Sequence, residues 1–339
     1  MQSASPFSLK QHVFTKRALL SFGFSLFLFA VFFSQANLAD ILRSLRRIDP
    51  VFLALAFCAH YASYLFRAAR WKAMLAPDGF SGSIISLSKI TFLFQSVDCV
   101  LPAKLGDVYG SHLMKLNFGL NRSYALGSIF LWRVIDLMFV GGAAVGSAFW
   151  LFGGNLPAEV AWMLKFGLPA FVMALAALAL FLHHHHRLTG VIASEKIHRL
   201  LASFRRGFRL NLRALPVVCL STVLFWALEA LRFFCICRAM SVDVQPVAVI
   251  FVTFAAMLFT SVPFTPSGLG AVELAMRTLL ALIGVAPAAA YPLILWDRFI
   301  SHWSQIVLGM IFVMFSQPIN VKIWHTSELP QNPTDASAE

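Results

Sequence analysis

Charged residues are scarce in this sequence. Asp, Glu, Lys and Arg make up 12% of the 339 residues, whereas hydrophobic residues make up 59% and phenylalanine occurs 34 times. A soluble domain carries roughly 25% charged residues, so the composition excludes a soluble fold and predicts an all-α, polytopic membrane protein. The net charge of +12 does not indicate nucleic-acid binding, because the basic residues lie between apolar runs, where they report orientation and attraction to lipid headgroups.

Cysteine and known catalytic motifs are also scarce or missing. The five cysteines lie in or beside apolar runs, and Cys235 and Cys237 lack the spacing and the histidine partners of a metal motif. His183–His186 are adjacent in the chain, so we interpret them as an interfacial basic cluster rather than a metal site. No nucleotide-binding, metalloprotease or serine-hydrolase pattern occurs in a supporting context. We therefore expect no metal, no cofactor and no ATP hydrolysis.

What the sequence does contain is a series of long apolar runs. They lie at residues 18–36, 51–66, 84–101, 124–152, 160–182, 214–237, 247–262, 268–284 and 288–316. The run at 18–36 is interpreted as a first span, with a cleaved signal peptide as the alternative. Residues 1–16 form a short cytoplasmic segment in this interpretation, and the polar tail at 317–339 is predicted to be disordered.

Charge predicts the orientation of these runs. Segment 183–213 carries seven basic residues and one glutamate, a net charge of +6, whereas the connection at 153–159 carries a single acid. The positive-inside rule then places 183–213 and both termini in the cytoplasm. Arg67, Arg70 and Lys72 are interpreted as a further cytoplasmic cluster at the end of the run that precedes them.

This orientation requires two segments to leave and re-enter the same membrane face. Segment 84–122 would open to the cytoplasm and break near Pro102, and segment 247–285 would open to the outside and break between Pro263 and Gly270. Both are predicted to be re-entrant helical hairpins.

The expected architecture is about six full spans plus these two hairpins, arranged as an inverted repeat. The transmembrane domain would cover 17–316, with repeat one at about 51–152 and repeat two at about 214–316.

Matching motifs lie at the two predicted breaks. The first reads Leu101-Pro-Ala-Lys-Leu-Gly-Asp107 and the second reads Pro263-Phe-Thr-Pro-Ser-Gly-Leu-Gly-Ala-Val-Glu273. An arginine follows the shared Leu-Gly at similar distances, since Arg133 lies 27 residues after Gly106 and Arg298 lies 28 residues after the second motif's last glycine. Broken apolar segments at matching positions in two halves point to a transporter-type binding site.

Charges within the apolar runs need partners, because a charge at the bilayer centre costs roughly 2.5–3.5 kcal/mol. Helical spacing predicts three pairs, Arg133–Asp136, Glu229–Arg232 and Glu273–Arg277. For Glu229–Arg232, a purely structural pair is as good an interpretation as a functional one. For the charged residues that recur beside both motifs, a functional interpretation is favoured. The Pro/Gly break beside them exposes helix N–H groups and the positive end of the helix dipole.

An anion-binding site is therefore predicted at the breaks. The helix after the second break is expected to start near Ser267, where its N–H groups would hold a phosphate or carboxylate oxygen. Countercharge for the bound anion would come from Lys104, Arg133, Arg277 and Arg298. Asp107 and Glu273 would pair with these cations when the site is empty, or carry a proton. The candidate substrate-binding residues are Lys104, Asp107, Arg133, Asp136, Ser267, Gly268, Gly270, Glu273, Arg277, Asp297 and Arg298.

These motifs resemble those of the membrane-embedded flippase domain of bacterial lysylphosphatidylglycerol synthases. The matching elements are Leu101–Asp107, Arg133–Asp136, Pro266–Glu273 and Asp297–Arg298, and the resemblance covers roughly residues 15–316. Lys104 stands where arginine is more usual, which would lose bidentate phosphate binding. Ser267 stands where a second glycine is common and could act as an N-cap. In the synthases a soluble aminoacyl-transferring domain follows the membrane region, whereas residues 317–339 alone follow the last predicted span in this sequence, so we do not expect lysyl transfer by this chain.

The predicted function is translocation of an anionic phospholipid or related amphiphile across the bacterial inner membrane by a protein that is not an enzyme. The alternatives are an intramembrane transferase acting on a polyprenyl-phosphate sugar and a non-transporting accessory protein. Membrane lipids are the expected partners, nucleic acid is not, and a homo-oligomer and a separate lipid-modifying enzyme stay open as protein partners.

Overall fold

The computed structural model describes residues 48–101, 104–153, 155–158, 195–260 and 268–315, with single positions at 34 and 161. Every regular element within these residues is a helix. In chain order they are α1 (Pro50–Leu75), α2 (Ile84–Val100), α3 (Leu105–Phe118), α4 (Arg122–Phe152), α5 (Glu195–Gly207), α6 (Leu215–Ala239), α7 (Pro246–Phe259), α8 (Ala271–Leu282), α9 (Pro287–Arg298) and α10 (Ser304–Phe315). A π-helical turn, Phe299–Trp303, joins α9 to α10. The predicted runs at 18–36 and 160–182, the His183–His186 cluster and the tail at 317–339 lie outside the described residues.

Three stretches of the described chain are long and apolar enough to cross a bilayer, judged by length and composition. They are Pro50–Asp78, Arg122–Phe152 and Ile197–Ala239, the last ending with α6. Their outward faces carry exposed apolar side chains such as Leu65, Phe149 and Leu220, as contact with lipid requires. The prediction of an all-α helical membrane protein is confirmed, and the count of about six spans stays a prediction.

The segments predicted to form hairpins are pairs of short helices. The limbs α2, α3, α7 and α8 contain 17, 14, 14 and 12 residues. At 1.5 Å per residue they are about 26, 21, 21 and 18 Å long, each shorter than the roughly 30 Å hydrocarbon core. The two limbs of each pair pack on each other. Broken helix pairs therefore lie where the sequence predicts them, and their entry from opposite faces stays a prediction.

Glycines bring the limbs of the first pair into close contact. A Cβ on Gly106 would lie 2.1 Å from the carbonyl oxygen of Phe94, and a Cβ on Gly110 would lie 2.8 Å from the Phe94 ring. Small residues four apart allow helices to approach in this way. The break itself ends at Lys104, whose backbone is left-handed with φ of 55°, a conformation uncommon for a residue other than glycine.

The two halves of the chain pack on each other reciprocally. Helices α1 and α6 form the most extensive contact of the described helices, and α4 packs on α7 much as α10 packs on α2. Helices α1 and α6 are antiparallel, because the N–H of Asp49 donates to the carbonyl oxygen of Ala239 (2.9 Å) while Arg70, near the other end of α1, donates to Thr222 (3.2 Å). Each half thus lays its final helix on the first limb of the other half's helix pair.

The basic segment between the halves is partly helical. Within its described part, α5 packs on α4 through Gly207, where a Cβ would lie 2.0 Å from the carbonyl oxygen of Tyr124. Arg206 Nη2 lies 2.8 Å from Asp78 Oδ1 in the turn after α1. The end of α1 and the basic segment are therefore at the same end of the molecule, as the predicted orientation requires.

Candidate functional site

The first charged cluster lies where the first break meets α4. Arg133 Nη2 is 2.6 Å from Asp98 Oδ2 and 2.6 Å from Asp107 Oδ1. Its Nε also donates to Asp107 Oδ2 at 3.2 Å, so the guanidinium binds that carboxylate in the bidentate manner suited to carboxylates and phosphates. Asp98 accepts the N–H of Gly106 at 2.8 Å. Lys104 directly precedes α3, so two anions and two cations lie at the break.

The second cluster is built in the same way at the second break. Arg298 Nε donates to Glu273 Oε1 at 2.9 Å, and Glu273 Oε2 accepts the N–H of Gly270 at 2.7 Å. Both side chains are buried, with residue exposures of 1% for Glu273 and 3% for Arg298. Arg298 is the last residue of α9, directly before the π-helical turn. Such turns are frequent at functional sites.

The two clusters share an acid–arginine pair at the same position of the helix. Asp107 and Glu273 are each the third residue of their helix, and each helix follows a residue with positive φ, 55° at Lys104 and 86° at Gly270. Each acid binds an arginine of the following helix, 26 residues later for Asp107 and 25 residues later for Glu273. The structure therefore aligns acid with acid. Alignment by the shared Leu-Gly differs from it by two residues, because the two helices start at different places relative to that dipeptide.

Asp136 belongs to a different pair from the one its spacing predicts. Instead of Arg133 it binds Arg70, whose Nη2 donates to Asp136 Oδ2 at 3.0 Å, and it also accepts the indole N–H groups of Trp132 and Trp226. The predicted Arg133–Asp136 pair is wrong because partners on facing helices offer both residues better geometry than a neighbour one turn away. Helix α1 continues past Arg70, whose side chain is 0% exposed.

A third network lies at the contact of α1 and α6 around Glu229. Glu229 Oε1 is 2.9 Å from Arg67 Nη2 and accepts the Ser63 hydroxyl at 2.9 Å, and Oε2 is 3.2 Å from Arg232 Nε. His60 Nδ1 is 3.3 Å from the same carboxylate. The predicted Glu229–Arg232 pair is confirmed. Arg67, predicted to end its apolar run as part of a cytoplasmic cluster, lies within α1 with a side chain 13% exposed, and its cytoplasmic placement stays a prediction.

Asp297 extends this network toward the second cluster. Arg232 Nη1 lies 2.9 Å from Asp297 Oδ1, so one guanidinium links Glu229 to Asp297, and Asp297 directly precedes Arg298. The central arginines also repeat along the chain, because Arg67 and Arg232 are 165 residues apart, as are Arg133 and Arg298. This shared interval is a sequence signal from which Arg67 could have been identified. Asp98 gives no such signal.

The remaining predicted site residues are not all brought together. The guanidinium of Arg277 lies over the ring of Tyr291, 5.7 Å from its centroid, and the predicted Glu273–Arg277 pair is wrong because Glu273 binds Arg298. Gly268 lies at the second break with φ of 72°.

Ser267 lies outside the described residues, and the prediction that it starts and caps the next helix is wrong. That helix begins at Ala271 with Gly270 as its N-cap. The N–H of Gly270 is already bound by Glu273, so the anion that holds the start of this helix is the protein's own carboxylate. Among the described residues no group of three or more His, Cys, Asp or Glu is placed to hold a metal ion.

Comparison with known proteins now bears on this arrangement. Residues 18–309 match the family described as the lysylphosphatidylglycerol synthase TM region. The chain belongs to this family. The resemblance that the motifs indicate is thereby confirmed, and it extends across both charged clusters.

Relatives of the chain include archaeal membrane proteins. A UPF0104 membrane protein of Methanocaldococcus jannaschii is 28% identical over 216 residues, which cover 63% of this chain and 92% of that protein. A second UPF0104 membrane protein of the same organism is 20% identical over 88% of this chain and 95% of its own length. A protein named glycosyltransferase AglD, from Haloferax volcanii, is 23% identical over 80% of this chain but only 50% of that protein.

Proposed function

We propose that this membrane protein moves an anionic phospholipid, or a related anionic amphiphile, between the leaflets of the bacterial inner membrane. The observation that carries the proposal is the repeated ion pair. In each half, an acid at the start of a short helix holds an arginine of the following helix. A lipid phosphate can take the place of that acid, because it offers a guanidinium the same bidentate geometry.

Exchange of partners makes this step energetically feasible. Breaking a buried ion pair without replacement costs about 3–5 kcal/mol, whereas a headgroup that replaces the acid leaves the arginine paired. The displaced Asp107 or Glu273 would then take up a proton or move toward water. Movement of lipid would be downhill or coupled to an ion gradient, with these two acids as the candidate proton carriers.

The proposal includes an inverted repeat that gives access to alternating faces. Repeat one would cover about 51–152 and repeat two about 214–316, with both termini in the cytoplasm. The antiparallel contact of α1 with α6 and the reciprocal packing of the other helices support this arrangement. Rocking of one half against the other about the α1–α6 contact would open Arg133 and Arg298 to opposite faces in turn.

A second candidate function is an intramembrane transferase acting on a polyprenyl-phosphate sugar. The relative named as a glycosyltransferase favours it, although this chain aligns with only half of that protein. The same acids would then act as general base and the same arginines would hold the phosphate. We place this function second and propose that the chain by itself is not an enzyme, because the geometry of paired clusters in two halves suits movement between two faces better than one reaction centre.

Leaflet exchange in vesicles tests the proposal. The full chain would be reconstituted with fluorescent phosphatidylglycerol, and the fraction of probe accessible to an external quencher followed with time. Losing a hydrogen bond to a charged group costs about 1.5–3 kcal/mol, so Arg133→Gln and Glu273→Gln should slow exchange roughly 10- to 150-fold. Arg199→Gln is the matched control, because Arg199 is 75% exposed.

Three outcomes separate the candidates. Slow exchange in both cluster variants with normal exchange in the control supports translocation at these sites. Normal exchange in Arg133→Gln and Glu273→Gln would contradict the site assignment. Transfer of sugar from a polyprenyl-phosphate donor by the purified chain would favour the transferase.

A further inference from the structure

A groove lies between α1, α2 and α10. Its volume is about 530 Å³, within the roughly 300–1,000 Å³ typical of ligand sites, and its lining residues are Tyr61, Tyr64, Ser88, Lys89, Phe92, Leu308, Ile311 and Phe312. The lining is mostly aromatic and aliphatic. Leu308 and Ile311 are 41% and 44% exposed, so the α10 wall is on the lipid-facing surface. None of the lining residues that the structure describes is acidic.

Among the described lining residues one is a cation, Lys89. Lys89 is exposed in the second turn of α2, beside Ser88, and within the described parts of the chain it makes no ion pair. The deeper wall is fixed by polar contacts of its own, since the Tyr61 hydroxyl and Ser304 Oγ are 2.6 Å apart and Tyr64 is only 3% exposed. An apolar channel with one cation among its lining residues suits an anionic amphiphile, because a lysine stem can lie on apolar surface while its ammonium reaches a polar headgroup.

We propose that this groove binds one acyl chain of an anionic phospholipid whose phosphate contacts the ammonium of Lys89. Lys89 lies near the start of α2, at the end predicted to face the cytoplasm, where the headgroups of the inner leaflet lie. The occupant is a lipid from the surrounding leaflet, and its negative charge complements the groove's lysine.

The groove and the first charged cluster share helix α2. Lys89 and Asp98 are nine residues apart on α2, which corresponds to about 14 Å along the helix axis. Asp98 binds Arg133, so one helix carries the proposed entry site at one end and part of the cluster at the other. This step rests on the proposed function, because it makes the groove the loading position from which a headgroup passes to Arg133.

Photolabelling tests the groove directly. The full chain would be placed in lipid nanodiscs that contain phosphatidylglycerol with a photoactivatable group on its acyl chain, and the labelled peptides identified by mass spectrometry. We expect labelling of α2 and α10 peptides that line the groove. Lys89→Gln should reduce it about fivefold, the factor expected for one basic residue at an anionic surface, and Leu308→Trp should reduce it at least as much by filling the groove.

Matched variants control for charge and bulk. Lys115→Gln removes another exposed lysine, and Met310→Trp adds the same bulk on the lipid-facing side of α10, where Met310 is 57% exposed. Both should label like the unchanged protein. Normal labelling in Lys89→Gln and Leu308→Trp would overturn the groove. Equal labelling by phosphatidylglycerol and phosphatidylcholine, with no effect of Lys89→Gln, would overturn its preference for anionic lipid.

Leaflet exchange in the same variants keeps the two proposals apart. If the unchanged protein exchanges no lipid while labelling depends on Lys89 and Leu308, the groove stands and translocation fails. If the unchanged protein exchanges lipid and both groove variants label normally, translocation stands and the groove fails.

Discussion

At the scale of single residues, the arginines inside this protein differ in what they can do. Arg70 has a side chain 0% exposed, is bound by Asp136 and lies over the rings of Trp132 and Phe225, so a ligand has no route to it. Arg133 is 30% exposed and shared between two carboxylates. A guanidinium that is accessible and already surrounded by exchangeable anions is suited to ligand binding, whereas an enclosed one fixes two helices together. We therefore propose a structural role for Asp136 and a ligand-binding role for Arg133.

A double-mutant cycle on Arg70 and Asp136 tests this division. Arg70→Met leaves the Asp136 carboxylate buried without countercharge, which should destabilise the protein by about 3–5 kcal/mol. Adding Asp136→Asn should recover most of that loss, because the amide is neutral and still offers an oxygen to the indole N–H groups. Thermal unfolding in detergent measures both effects. Additive losses in the double variant would show that the two side chains are not coupled, and lost lipid exchange in a stable double variant would return Asp136 to the binding site.

The sequence predicts pairs along one helix better than pairs between helices. Glu229 and Arg232 are one turn apart and contact each other. Arg133 and Asp136 have the same spacing, but Arg133 binds Asp107 and Asp136 binds Arg70. Spacing shows which residues share a helix face, but the choice of partner depends on which helix packs opposite. Helix packing is a property of the tertiary structure. A single sequence indicates it only indirectly, as in the 165-residue interval between related arginines.

At the scale of elements, the broken helix pair depends on close contact at Gly106. Gly106→Ala should destabilise the protein by about 1–3 kcal/mol, because the added methyl would overlap the backbone of α2 and overpacking carries a cost of this size. Gly141→Ala is the control on α4, where a Cβ would meet no atom within 4 Å. There alanine should stabilise the helix by about 0.5–1 kcal/mol. The midpoint temperature of thermal unfolding should therefore fall in Gly106→Ala and rise in Gly141→Ala. Equal shifts in the two variants would show that α2 and α3 do not pack at Gly106.

Element positions are predicted well where a helix breaker is present and poorly where a charge interrupts an apolar run. Pro102 and the glycines of the second motif locate both breaks between helices. The run that ends at Arg67 is a different case, since α1 continues to Leu75 because Arg67 and Arg70 are neutralised by partners on other helices. The start of α8 at Ala271 rather than Ser267 follows from Glu273, which binds the N–H of Gly270 and fixes that residue as the cap.

At the scale of the whole molecule, the Glu229 network lies where the two halves meet. Arg67 and Arg232 occupy corresponding positions on antiparallel helices and bind the same carboxylate. Buried pairs of this kind add little net stability relative to apolar residues, but removing one member is costly. The network therefore favours one register of α1 against α6. The proposed rocking motion would take place about this helix contact. The network also connects through Asp297 to Arg298, the arginine of the second cluster.

The direction of α6 across the membrane is the prediction on which the whole arrangement depends. An alkaline phosphatase reporter, active only outside the cytoplasm, should be inactive when inserted between Phe208 and Asn211 and active when inserted between Ser241 and Asp243. The first site adjoins the basic segment, and the second lies beyond the other end of an apolar helix long enough to span. An insertion near Gly79 should match the first site, because Arg206 binds Asp78. The reverse pattern would invert the orientation, and equal activity at the first two sites would show that α6 does not cross.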